Sequence, residues 1–239
     1  MREFVIVIPA YNEAGRIGAT IAGIRSAADA DIIVVDDGSS DATGAEAREA
    51  GAFVLRLPFN LGYGAALQTG FRHALMRGYR YAVQMDADGQ HDPAFISSLL
   101  AEVKSGLCDV AIGSRFLGVG DYRPTTFKKV GMVFFRWLAS LITGKKITDP
   151  TSGFQALNQR AMRFYASDAF PVDFPDADVL VMLHRRGMTF REVAVKMNPS
   201  PKKKTMHSGL VPVYYLFKMV LSIFVTLLRK DESGARGSS

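Results

Sequence analysis

Apolar runs at Phe4 to Ile8, Ile32 to Val35, Phe53 to Leu57, Tyr81 to Met85 and Val110 to Ile112 punctuate the first half of the chain, with helix-like amphipathic stretches between them. Short runs rich in Val, Ile and aromatic residues read as strands. Their alternation with helices predicts a mostly parallel sheet covered on both faces, an α/β fold. Glu13 begins the first amphipathic run, Ser40 or Asp41 stands where a cap for the next helix is needed, and Asp92-Pro93 opens the fourth. In such sheets ligands sit beyond the carboxyl ends of the strands. The unusual polar stretches Pro9 to Glu13, Asp36 to Ser39, Asn60 to Gly62 and the segment from Asp86 all fall there, so one edge is expected to carry one site.

The segment Gln84 to Pro93 has the most chemistry. An apolar run from Tyr79 ends in Asp86 and Asp88, one residue apart. On an extended chain alternate residues point the same way, so both carboxylates are expected to converge on one hard cation, Mg²⁺ or Mn²⁺, which would hold a diphosphate. The competing reading is a polar strand-to-helix loop in which Asp92 caps a helix opened by Pro93.

The character changes after about residue 115. Residues 124–143 form a basic and aromatic amphipathic stretch in which Lys128, Lys129 and Arg136 stand among Phe134, Phe135, Trp137 and Leu141. That pattern fits a helix lying in a membrane interface, or an ordinary helix packed on a core. Leu210 to Leu228 is nearly long enough to cross a bilayer, which takes about 20 residues, but it carries Pro212 and Lys218. The expected organisation is a catalytic domain over 1–196, a basic loop and membrane-associated apolar helix over 197–230, and a disordered tail over 231–239.

Composition narrows the partners. The 239 residues carry a net charge of +6 and are 48% hydrophobic, which excludes a disordered chain and favours an anionic partner. Because the basic residues are interleaved with long apolar runs, an acidic membrane surface or a phosphorylated substrate fits better than nucleic acid. Cys108 is the single cysteine, so no internal disulfide forms and a reducing cytosol is the natural compartment. The run from Phe4 to Ile8 is too short for a signal peptide.

Six motifs carry a resemblance: VIPAYNEAGRI (Val7 to Ile17), VVDDGSSDAT (Val34 to Thr43), NLGYGAAL (Asn60 to Leu67), MDADGQHDP (Met85 to Pro93), GSRF (Gly113 to Phe116) and DPTSGFQA (Asp149 to Ala156). In this order and spacing the chain resembles family 2 glycosyltransferases of the GT-A fold, and among them the polyprenyl-phosphate sugar synthases of the dolichol-phosphate mannose synthase type. The resemblance implies a nucleotide-sugar pocket formed by Pro9, Ala10, Tyr11, Asn12, Glu13, Val35, Asp37, Gly62, Asp86, Ala87 and Asp88. In it Asp37 accepts a hydrogen bond from a ring N–H of the base, which uracil and guanine both offer. Asp86 and Asp88 would bind the donor diphosphate through the metal, Asp88 most directly and Gln90 as a third ligand, with His91 a hydrogen-bonding neighbour. Arg115 would face the phosphates with a planar, permanently charged fork.

A lipid phosphate acceptor is already ionised and needs no base. Arg123, Lys128, Lys129, Lys202, Lys203, Lys204 and His207 are the candidates to hold it. A sugar hydroxyl acceptor would need a base, and Asp178 or Asp176 in FPDADVL stands in the place for one; a helix-capping role is the alternative. The chain departs from the family at Ser200 and Lys203, where the loop over the donor usually has an arginine and a glycine, and at Tyr63, where many relatives are basic. The expected activity is inverting transfer of a sugar from a UDP- or GDP-linked donor to a polyprenyl phosphate by an enzyme peripheral or monotopic at the cytoplasmic face of the membrane. Extension of a lipid-linked glycan, or a non-catalytic membrane-binding module, are the alternatives.

Overall fold

The computed structural model describes residues 2–118, 126–171, 175 and 177–198, with 126–132, 134 and 177 described by backbone alone. Strands β1 (Phe4–Ala10), β2 (Asp31–Asp36), β3 (Phe53–Arg56), β4 (Tyr81–Gln84), β5 (Val110–Ser114), β6 (Gln155–Asn158) and β7 (Phe190–Ala194) form one sheet in the order β3-β2-β1-β4-β6-β5-β7. The five anticipated strands are present. Strands β6 and β7 were not legible in the sequence, and β6 runs antiparallel to both β4 and β5, so the sheet is mixed. All other pairings are parallel.

Alternation along the central strands explains why both faces are covered. Val5 and Val7 of β1 face one core with Ile33 and Val35 of β2, while Ile6, Ile8 and Ala10 face the other with Ile32 and Val34. The first core is closed by α3 (Tyr63–Met76), α5 (Thr126–Thr143), α6 (Gln159–Tyr165) and α7 (Ala177–Arg185), the second by α1 (Ile17–Ala27), α2 (Thr43–Glu49) and α4 (Ile96–Lys104). Phe71 of α3 meets Tyr165 of α6 edge to face at 5.5 Å, inside the first core. Cys108 is buried in the second, and burial pushes its thiol up to about 11, which suits a structural and unreactive residue.

Helix starts differ in detail from the sequence reading. Helix α1 begins at Ile17, and Glu13 stands in the turn before it, its carbonyl accepting from the amides of Arg16 and Ile17. The N-cap position of α2 is Ala42, although Asp41 Oδ1 accepts from the Thr43 amide at 3.0 Å and so does a cap's work one residue early. Asp92 caps as expected, accepting from the Ala94 amide at 3.0 Å ahead of a 3₁₀ turn at Pro93–Phe95.

The chain runs β1, β2, β3 outward and returns to place β4 on the other side of β1, so the sheet has its topological switch point between β1 and β4. The loops after β1 to β4 therefore crowd one edge, and β6 enters from that edge because Gln155 pairs with Gln84. Gly38 is indispensable to the second loop: its φ is +68°, and a Cβ there would lie 2.5 Å from the Phe59 carbonyl carbon. Gly38→Ala is expected to destabilise the fold by about 2–3 kcal/mol, read as a drop in melting temperature of roughly 4–12 °C.

Arg123, Asp176, Ser200, Lys202, Lys203, Lys204, His207, the apolar segment 210–228 and the tail lie outside the described residues; Lys128 and Lys129 lie on α5, described there by backbone alone. Among the described residues no helix is long and apolar enough to cross a membrane.

Candidate functional site

The first two loops are buckled together through side chains. Beyond Ala10 the chain turns at Asn12, whose φ of 53° is left-handed, a conformation Asn tolerates better than most residues. Four successive amides then donate outward: Asn12 to Ser39 Oγ at 3.0 Å, Glu13 to Thr43 Oγ1 at 2.8 Å, Ala14 to Asp41 Oδ2 at 3.2 Å and Gly15 to Glu46 Oε2 at 2.6 Å. Asn12 Oδ1 accepts in return from the Ser40 amide at 3.0 Å. Burial alone would raise the Asp41 carboxyl, but hydrogen bonds from Thr43 and Ala14 hold it below its ordinary value.

Asp37, almost fully buried, ties in the third loop. Its Oδ1 accepts from the Leu61 amide at 2.7 Å and its Oδ2 from the Gly62 amide at 2.9 Å. Pro9, Ala10, Asn12, Glu13, Asp37 and Gly62 thus lie on one rigid rim, with Tyr11 standing exposed on it. Val35 is different: its side chain is wholly enclosed in the α3-side core.

The fourth loop brings Asp86 and Asp88 to the rim by a route the sequence reading had wrong. Strand β4 ends at Gln84, and Ala87-Asp88 is a turn, so the two carboxylates approach through a tight bend and not through strand alternation. The Ala87 carbonyl accepts from Thr20 Oγ1 at 3.0 Å, which fastens the bend to α1. Asp86 Oδ1 accepts from the Tyr63 hydroxyl at 2.8 Å, and the Asp86 amide donates to His91 Nδ1 at 3.0 Å. His91 is buried and stacked on Phe154 at 4.9 Å. Burial lowers its pKa, and with Nδ1 accepting, the neutral ring carries its proton on Nε2, 3.5 Å from Asp86 Oδ2. Asp88 Oδ1 accepts from the Gln90 amide at 3.0 Å, and burial, together with the charge of Asp86, raises its carboxyl above the usual range.

A carboxylate pair on one bend, close enough for the charge of Asp86 to act on Asp88, fits a divalent cation. Among the described residues no three His, Cys, Asp or Glu side chains form a cage that would hold a metal alone. This donor set matches Mg²⁺ or Mn²⁺ held by one or two carboxylates with the remaining positions left to substrate phosphate and water.

Arg115, just past β5, is clamped by a buried carboxylate. Its Nε and one terminal nitrogen both donate at 2.6 Å to Asp149, which is fully buried, and its backbone amide donates to the same carboxylate at 3.0 Å. Thr151 Oγ1 accepts a further bond at 2.9 Å. Both Arg115 and Asp149 lie near enough to His91 to act on its charge. Glu192 of β7 holds the loop from the other side, accepting from the amides of Thr148 at 2.8 Å and Asp149 at 2.6 Å. Burial raises its carboxyl, and those bonds only partly offset it. The roles of Asp149, Glu192 and the Tyr63 contact are not legible in the sequence, because each joins segments more than twenty residues apart.

The chain continues from β7 to Asn198, whose amide donates to the Gln90 carbonyl at 2.8 Å. Asn198, the last described residue before the segment expected to cover the donor, is thereby tied to the Asp86 loop. Asp178 lies in the first turn of α7, 1% exposed; burial raises Tyr165, and the charge of Asp178 adds to that rise. On α5, Phe135 and Ala139 face the core, whereas Val133, Trp137 and Leu141, spaced four apart, are all more than half exposed. Arg136 lies over the Phe116 ring at 4.9 Å, and its buried Nε has no hydrogen-bond partner among the described residues.

A family model described as glycosyl transferase family 2 matches residues 5–168. An undecaprenyl-phosphate mannosyltransferase of Micrococcus luteus is 37% identical over 175 residues, covering 68% of this chain and 69% of its own. A UDP-N-acetylglucosamine–dolichyl-phosphate N-acetylglucosaminyltransferase of Methanococcus voltae is 26% identical over 211 residues, covering 80% of this chain and 84% of its own. Among solved structures, glucosyl-3-phosphoglycerate synthase of Mycobacterium tuberculosis, in complex with Mn²⁺, UDP-glucose and phosphoglyceric acid, superimposes with a TM-score of 0.70 at 20% identity, covering 97% of this chain and 81% of its own. The mixed sheet, the carboxylate pair at its switch point and the family model, which spans more than half of the chain, agree: the protein is a glycosyltransferase of GT-A fold and belongs to glycosyl transferase family 2.

Proposed function

We propose that the protein transfers a sugar, with inversion, from a UDP- or GDP-linked donor to a polyprenyl phosphate at the cytoplasmic face of a membrane. The observation that carries this reading is that the Asp86–Asp88 bend and the Arg115–Asp149 clamp gather around buried His91, on whose charge all four groups act. Asp37 keeps lone pairs for the ring N–H of a base beyond its two loop bonds, because an ionised carboxylate offers about four acceptor sites. Asp86 and Asp88 would hold Mg²⁺ or Mn²⁺, with Gln90 beside them. When bound, the ion supplies neutralisation of the charge that gathers on the departing nucleotide diphosphate. Arg115 is held in one orientation by Asp149, so its permanent positive charge is fixed beside the site without a reorganisation cost.

The acceptor reading rests on the names of the relatives and on two features of α5. Val133, Trp137 and Leu141 form an exposed apolar stripe suited to a membrane interface. Arg136, on the same helix and over the Phe116 ring, offers a cation to a headgroup phosphate, and Arg123, Lys128, Lys202, Lys204 and His207 are the further candidates that the sequence supplies. A phosphate nucleophile needs no base, and Asp178, enclosed near Tyr165, is poorly placed to serve as one. Asp178→Asn is accordingly expected to retain transfer to lipid phosphate within about threefold. A loss of about a hundredfold or more, the usual upper range for a general base, would move the acceptor to a sugar hydroxyl.

A further inference from the structure

We propose that Tyr63 is a positioning residue that fixes the carboxylate of Asp86 for the divalent cation; this deepens the metal-dependent reading above and rests on it. A tyrosyl hydroxyl has one proton to give and lone pairs to receive with. Gln84, almost fully buried, donates from Nε2 to the Tyr63 oxygen at 3.0 Å, and the single Tyr63 proton goes to Asp86 Oδ1 at 2.8 Å. The donation from Gln84 fills the hydroxyl's accepting side and so directs its proton at the carboxylate.

Asp86 is enclosed from two further directions. His91 accepts from its amide, with its Nε2 near Oδ2, and Gly153 lies so close that a Cβ there would stand 2.8 Å from the Tyr63 oxygen and 3.2 and 3.3 Å from the two Asp86 oxygens. Tyr63 also follows directly on Leu61 and Gly62, whose amides Asp37 holds. One turn therefore links the carboxylate proposed for the base to the carboxylate proposed for the metal. Without the hydroxyl, Asp86 would lose the contact that sets its torsion, and a ligand free to rotate binds a cation less well.

The test is the dissociation constant for Mn²⁺, followed by electron paramagnetic resonance in saturating UDP and, in parallel, saturating GDP, for the wild type, Tyr63→Phe and Gly153→Ala. Tyr63→Phe keeps the ring and is expected to weaken Mn²⁺ by about tenfold, the lower end for loss of an outer partner of a metal ligand. Gly153→Ala, which crowds the same pair from behind, is expected to change it in the same direction. Metal-free binding of UMP or GMP and the melting temperature of Tyr63→Phe should stay as in the wild type. Unchanged Mn²⁺ affinity in Tyr63→Phe, or an equal fall in metal-free nucleotide binding, would overturn the assignment of Tyr63 and leave the proposed activity standing. A wild type that holds no Mn²⁺ with either nucleotide would overturn both.

Discussion

Asp88→Ala is expected to lower the turnover of sugar transfer by about 10²–10³-fold while leaving the protein folded and at least as stable as the wild type. The rate loss follows from removing the carboxylate placed to hold charge against the donor diphosphate, since one misplaced electrostatic group in a preorganised site costs about that much. The stability follows from the opposite sign of the folding term. Burial raises the Asp88 carboxyl above its ordinary value, and the neighbouring Asp86 adds to the rise. A raised carboxyl means that the folded state disfavours the charge, so at neutral pH Asp88 costs stability, and the cost fades as pH falls through the raised value. Initial rates and a thermal melt on one preparation separate the two effects. A variant that lost activity and melted early would show a structural residue instead.

Asp149→Ala is expected to do the reverse to the fold. Its carboxylate is fully buried and receives two guanidinium bonds and one amide bond from Arg115. Removing it leaves the Arg115 head, largely enclosed, without its counter-charge, and breaking such a pair on one side costs about 3–5 kcal/mol. For a chain of this size that is roughly 6–20 °C in melting temperature, measured by calorimetry or circular dichroism. Because the same bonds aim the guanidinium, transfer activity measured well below the melt should fall as well. Arg115→Lys preserves the charge but not the fork, so it should recover part of the stability and little of the rate.

These contrasts show what the sequence could and could not carry. Strands β1 to β5 were legible because each is an apolar run flanked by polar turns, and the alternation of Val5, Ile6, Val7 and Ile8 between two cores is a pattern any parallel sheet must display. Strand β6, Gln155–Asn158, has four residues with polar ends, and its strand character comes from the two neighbours it slots between. Strand β7 carries Arg191 and Glu192 in its middle, and Glu192 is inward only because the Thr148-Asp149 amides await it.

The rim was legible as four polar loops on one edge, and the residues expected there are assembled by bonds that a single sequence cannot show. Thr43 receives Glu13, Asp37 receives Leu61 and Gly62, and Asp86 receives Tyr63. Asp86 and Asp88 do reach the rim, but not by strand alternation, because the strand stops at Gln84, before either carboxylate. The enclosure of Val35 shows the same limit, since a residue at the right strand end can still point into the core.

The central claim is metal-dependent transfer of a sugar to a lipid phosphate. Its most direct test is to incubate the purified protein with undecaprenyl or dolichyl phosphate, Mn²⁺ or Mg²⁺ and a panel of radiolabelled UDP- and GDP-sugars, and to count label in the organic phase with and without chelator. Label carried into the lipid from one donor, and abolished by chelation, is the predicted result. No lipid labelling from any donor, in a preparation that binds UDP or GDP, would contradict the account.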